Sequence, residues 1–361
     1  MNLDRRHRGF TLTELMVAMT VGLIVLGSVL TVLVNSKKNY VTQDSLARLQ
    51  ENARFALNYI VRDLRMAGYY GCMNDIDAVT DHVNNGGAGS LFDSSVPLEG
   101  FEQGADTWKP SDSTLRVNEI YNNTDAITIR FADGSNRIPV EEPYMPQPSA
   151  ALQIAAGNGL EVGEIVVVTD CASADIFQIT GPQDPDIAGT INHNTGAGVS
   201  PGNATQNLSK SYEENSKIIK IKSVRFFIGT GASGYPALFR DSIKVSSGAA
   251  APQVDELVDG IENMQILYGI DTSNNDGVPD TYVNATNVGT NWDNVVAVRI
   301  TLLAFSISSA TSAGEYGTGA DDSLKNYDLG FADAAADKTT GQTGNRKRRI
   351  FTSTVQIRNS Q

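Results

Sequence analysis

From Phe10 to Val34 the chain is apolar almost without interruption (FTLTELMVAMTVGLIVLGSVLTVLV), and Glu14 is its one charged side chain. At about 1.5 Å per residue this segment makes a helix of about 37 Å, longer than the roughly 30 Å core of a bilayer, so 10–34 reads as a membrane span. Cleaved secretory signals have apolar regions of about 7 to 15 residues and end in an A-x-A-like site; this stretch meets neither condition, and the helix is expected to be retained. Further on, the apolar positions narrow to a stripe. Leu46, Leu49, Ala53, Leu57, Ile60 and Leu64 recur at three and four residues, with Asp44, Arg48, Glu51, Arg54 and Arg62 between them. The pattern predicts one helix over 10–70, its second half packed by one face on a core and stopped near Gly68. The Arg62-Asp63-Leu64-Arg65 tract reads as a solvated face.

From Gly71 the period changes to that of strands: Thr114 to Ile120, Ala126 to Phe131, Glu164 to Thr169, Ile176 to Thr180, Ile218 to Ile228, Met264 to Tyr268, Val295 to Phe305 and Ile350 to Ile357. Turn-rich Gly, Asn, Ser and Asp stretches separate them. One long helix followed by many strands predicts an α+β fold, with an antiparallel sheet on the helix and a head spanning 71–361. Residues 81–113 and 181–216 show little periodicity and read as long surface loops or insertions.

Composition places the head outside the cytosol. Of 361 residues 41% are apolar and only 19% charged, with 33 Gly and a net charge of −13, which gives no footprint for grasping phosphates; nucleic acid is not an expected partner. Arg5, Arg6 and Arg8 precede the apolar run and Lys37 and Lys38 follow it, a bias toward a cytoplasmic N-terminus. Cys72 and Cys171 fit either one disulfide in an oxidising compartment or two buried thiols. Three histidines, His7, His82 and His193, leave zinc and haem poorly supplied, and no catalytic constellation stands out.

Three motifs have competing readings. Gly229-Thr-Gly231-Ala-Ser-Gly234 follows a strand but leads into Tyr235-Pro236, not a helix, so it reads as a hairpin loop and not a dinucleotide fingerprint. Asp271, Asn274, Asp276 and Asp280, around Gly277, supply oxygen ligands in a spacing that suits a hard cation such as calcium, against a metal-free polar turn; the register departs from the usual alternation by one residue. No other cofactor is expected. The Asn345–Arg349 basic cluster reads as a solvent or acidic-neighbour contact.

The residues Arg8-Gly9-Phe10-Thr11-Leu12-Thr13-Glu14-Leu15-Met16-Val17-Ala18 closely resemble the class III signal of type IV prepilins and pseudopilins. The resemblance implies cleavage after Gly9 by a prepilin peptidase, leaving 1–9 as a leader, with methylation of the new amino terminus at Phe10. It also implies a role for Glu14. A carboxylate at that depth is costly unless paired, and the Phe10 amine of a neighbouring subunit would neutralise it and set axial register.

Later segments resemble the PilW-type minor pilins: Arg62 to Cys72 (RDLRMAGYYGC), Val166 to Phe177, Tyr235 to Arg240, Tyr268 to Asp271, Trp292 to Leu303 and Arg348 to Asn359. This implies a Cys72–Cys171 bridge, an inner-membrane single-pass anchor with a periplasmic head, and assembly with other minor pilins and the major pilin to prime or cap a type IV pilus. A tip adhesin is a further partner the family leaves open, and inner-membrane lipid surrounds the span. The alternative is a minor pseudopilin at the tip of a type II secretion pseudopilus. Without the leader, which carries +2, the remaining side chains sum to −15.

Overall fold

The computed structural model describes residues 11–73, 78–84, 90–102, 124–195, 198–273, 276–307 and 346–357. Helix α1 runs Leu12–Leu64 without a break. Its first half is exposed on every side, while the second half buries Leu49, Ala53, Ala56, Ile60 and Leu64 completely or nearly so. These positions lie on one face, and Ala53 and Ala56 let the helix approach the sheet closely. The helix stops at Leu64, earlier than Gly68. Arg65, Met66 and Ala67 continue as tighter turns, and Gly68, at φ 71°, donates its N–H to Arg130 O across to the sheet.

The head holds two main sheets. One contains β1 (Val79–Asp81), β2 (Leu98–Phe101), β3 (Ala126–Ala132), β4 (Ile138–Pro139), and, after the small strand β5 (Leu152–Gln153), β6 (Ile165–Thr169) and β7 (Ala174–Gln178). Helix α2 (Pro185–Ala188) and β8 (Thr190–Ile191), which pairs with β5, precede β9 (Lys217–Thr230), β10 (Pro236–Ser246) and β11 (Ala249–Asp259), which complete it. The second sheet has the order β13-β12-β14-β15, from β12 (Ile261–Ile270), β13 (Thr281–Val283), β14 (Val295–Phe305) and β15 (Arg348–Gln356), with helix α3 (Ala285–Val288) after β13. The pairs are antiparallel apart from β1 with β7. The expected α+β architecture is the observed one.

The 14-residue β9 is the organising strand, flanked by β6 and β4 at one end and β3 and β10 at the other. One core, including Ile127, Phe226, Ile228, Ile266, Ile300 and Leu302, lies between α1 and the strands of both sheets; a second, around Phe177, Leu152 and Tyr212, fills the far end of the head. Asp125 stitches the sheets: its N–H donates to Met264 O at 2.8 Å, and Ile266 N–H donates to its carboxylate at 2.7 Å.

Several expectations change. Residues 181–216 are not a surface loop: Ile191, His193, Leu208 and Tyr212 are buried, and the segment carries α2 and β8. The reason is that a few isolated anchors, with no periodicity between them, suffice to fill the second core. The β10–β11 hairpin extends well past the expected strands. The expected strand at Thr114 to Ile120 lies outside the described residues.

Candidate functional site: the exposed start of the long helix

Thr11 caps α1. Its hydroxyl accepts from Glu14 N–H at 3.3 Å, and Glu14 Oε2 accepts from Thr11 N–H and Oγ1 at 2.9 Å each, the reciprocal capping box of a T-x-x-E sequence. The carboxylate is thereby held at the helix start on an exposed face of the helix, and no hydrogen bond among the described residues engages its second oxygen. Gly9 and Phe10 lie outside the described residues.

Over Leu12 to Val34 the helix buries nothing against the head, so Leu15, Leu23, Ile24 and Leu30 are more than half exposed. The polar side chains of this stretch satisfy themselves. Thr20 donates to Val17 O, Ser28 to Val25 O and Thr31 to Gly27 O, at 2.7 to 2.9 Å, which suits an environment without water. A Cβ on Gly22 or Gly27 would meet no atom, so these glycines leave the helix surface locally flat. An apolar rod of this length, unpartnered among the described residues, needs lipid or other helices around it.

The head's polar clusters are built for structure. His82 and His193, which the sequence places in polar loops, are both buried. His82 Nε2 donates to Asp175 Oδ1 at 2.5 Å, while Ser209 Oγ and Tyr212 OH donate to Asp175 Oδ2 at 2.6 Å. Burial pushes the Asp175 carboxyl upward, but the bonds from His82, Ser209 and Tyr212 outweigh it and hold it below the usual range. Because Ser209 is bonded to the carboxylate and not to the imidazole, the group is no nucleophile relay. Both His193 nitrogens face carbonyl oxygens, of Gln206 and Ala150, at 2.9 Å. Arg130, fully buried, donates to Val96 O and Ser90 O at 2.6 Å, and burial lowers Arg225 to about 10. These contacts join residues far apart in sequence, and no local spacing announces them.

The disulfide implied by the PilW resemblance is present: Cys72 and Cys171 are joined, with Cα atoms 5.0 Å apart. The 229–234 glycines form the turn between β9 and β10, closed by Gly231 N–H to Tyr235 O at 2.7 Å, as expected. In the 271–280 loop, Asp280 accepts from Thr272 N–H and Ser273 Oγ at 2.8 Å, Asp271 from Gly277 N–H at 2.9 Å, and Asp276 from Val278 N–H at 2.9 Å. Asn274 lies outside the described residues. Among the described residues no group of three or more His, Cys, Asp or Glu is placed to hold a metal ion. Of the basic cluster, Arg348 is paired with Glu262 at 2.6 Å and Arg346 stacks 4.0 Å from the Tyr235 ring centroid, so it is largely spent within the head; Asn345 lies outside the described residues.

The family model for a prokaryotic N-terminal methylation motif matches residues 4–30, covering the capped start of α1. A second model, type IV pilus-assembly protein W, matches 225–359, from the middle of β9 through the four-stranded sheet. No curated protein matches the chain. Among solved structures, a type IV-like pilin from Thermus thermophilus is similar over 86% of this chain and 97% of its own, at 11% identity and a TM-score of 0.32. An N-methylation motif opening a long apolar helix, followed by a strand-rich head, defines a type IV pilin-like protein. Over 225–359 it is similar to the family of the pilus-assembly protein W. Both matched families are structural components of pili and not enzymes.

Proposed function

We propose that the chain is a minor pilin, cut after Gly9 by a prepilin peptidase, methylated at Phe10, and assembled with other minor pilins to prime or cap a type IV pilus. The observation that carries this reading is the division of α1: one continuous 53-residue helix, bare over its apolar half and buried against the head over the other. Such a helix anchors the subunit in the inner membrane before assembly, with the head in the periplasm, and supplies the filament core afterwards. Glu14 acts at the transition. Inside a filament the low dielectric makes an unpaired carboxylate expensive, and the cleaved Phe10 amine of a neighbour offsets it.

The reading is tested by expressing the full chain with and without a prepilin peptidase and measuring the mass of the membrane-extracted protein. Loss of the nine-residue leader plus one methyl group, only when the peptidase is present, supports it. An intact leader in the presence of the active peptidase overturns it.

A further inference from the structure

The second half of α1 turns a face away from the head that is unlike the rest of this acidic protein. Arg48, Arg54, Arg62 and Arg65 are exposed along it, and Arg137, from the turn between β3 and β4, adds a fifth guanidinium beside Tyr69. Of the carboxylates there, Asp44 is taken by Arg48 at 3.0 Å and the buried Asp63 by Arg62 at 3.3 Å, which leaves Glu51. Arg54 and Arg65 form no ion pair among the described residues. Between the cations lie rings. Phe55 is 48% exposed and packs edge-on to Tyr59 at 4.7 Å, the Arg62 guanidinium sits 5.2 Å from the Tyr59 centroid, and Arg137 bonds the Tyr69 hydroxyl.

A merely solvated helix face carries mixed charges in i,i+4 pairs. This one carries an excess of arginine interleaved with aromatic rings, the side chains enriched where protein interfaces concentrate their binding energy. On a chain of net charge −13, a local excess of cations selects an acidic partner. Lipid headgroups are too far away. At about 1.5 Å per residue, Arg54 and Arg65 stand about 30 and 46 Å beyond Val34, whereas the headgroup layer adds only about 5 to 8 Å to each side of the bilayer core.

We infer that the Arg48–Arg65 face of α1 docks against a carboxylate-bearing surface of an adjacent, different pilin subunit. The inference rests on the assembly reading above, because the same helix delivers its apolar half to the filament and so places this face beside whichever subunit packs there.

The test is capture of minor and major pilins by the full chain, co-expressed with them and extracted in mild detergent. In 0.15 M salt, Arg54→Glu combined with Arg62→Glu and Arg65→Glu should lower capture about tenfold or more, while the three Arg→Lys changes retain most of it. Phe55→Ala, at an exposed position, should lower capture several-fold without moving the melting temperature, and so decides the matter even if the triple variant misfolds. Wild-type capture that persists in both variants overturns the docking face and leaves the assembly reading standing. Capture of a second copy of this chain alone overturns the choice of partner, and a wild-type chain that captures no pilin overturns both readings.

Discussion

Cys72 and Cys171 join the end of the helical segment to the turn between β6 and β7, across 99 residues of sequence. Both are exposed, so the link is a clasp on the surface of the head and not a core element. It ties the segment that follows α1 to the β6–β7 turn. Closing a loop of this length removes chain entropy worth about 4 to 5 kcal/mol in the denatured ensemble. Replacing both residues by Ser should lower the melting temperature of the detergent-solubilised chain substantially, and adding reductant to the native protein should reproduce the shift. Equal melting temperatures for the two forms would show that the clasp constrains nothing.

The two faces of α1 should answer mutation differently. Leu64 is fully buried in the core beneath the helix, and Leu64→Ala should cost about 2 to 5 kcal/mol on denaturant unfolding. Phe55→Ala on the opposite face should change stability by about 0.5 kcal/mol or less.

Asp81 gives the head a pH dependence of defined sign. Burial pushes its carboxyl up to about 6, against the bonds it accepts from Val83 and Ser94 N–H, so the fold favours its neutral form. Its contribution to stability is therefore complete below the unfolded value of about 4 and is lost as pH rises through about 6. Asp175 runs the other way: its contribution is present above the unfolded value of about 4 and is lost as pH falls through its depressed folded value. Asp81→Asn should lose one accepted bond at every pH but flatten the change between pH 4 and 6.5. Parallel wild-type and variant stability curves over that range would contradict the assignment.

Gly100 marks where β2 crosses Tyr268 of the second sheet. A Cβ there would lie 2.0 Å from the Tyr268 hydroxyl, and that ring is held edge-on by Trp292 at 4.9 Å. Gly100→Ala should cost at least about 1 to 3 kcal/mol through overpacking, and Tyr268→Phe in the same chain should recover part of it.

The elements legible in the sequence are those whose burial is periodic. The long helix announces itself by an unbroken apolar run and then a three-four stripe, and β9, β12 and β14 by runs of branched and aromatic residues. Strand β11 hides because it is an edge strand: AAAPQVDELVD has small residues, a proline and acids on exposed positions, and only Ala250 and Val258 are buried. Likewise His82 and Asp175, 93 residues apart, become partners only once β1 pairs with β7, and Gln178 and Asn203, which exchange two hydrogen bonds, only once β7 lies beside the 200–209 segment. Of the candidate site, Glu14 was visible as a lone charge in an apolar run, whereas its bond to Thr11 and the arginine-aromatic face opposite the core required the helix to be placed on the head.

The central claim is that the apolar half of α1 is an assembly element whose single carboxylate, Glu14, sets register. The direct measurement is the amount of the chain in sheared pilus fractions and in washed inner membranes, for wild type and Glu14→Ala, in cells with a working prepilin peptidase. The account predicts equal membrane levels and leader removal for both proteins, with the variant depleted at least about tenfold from the pili. Glu14→Ala protein entering pili at the wild-type level would contradict it.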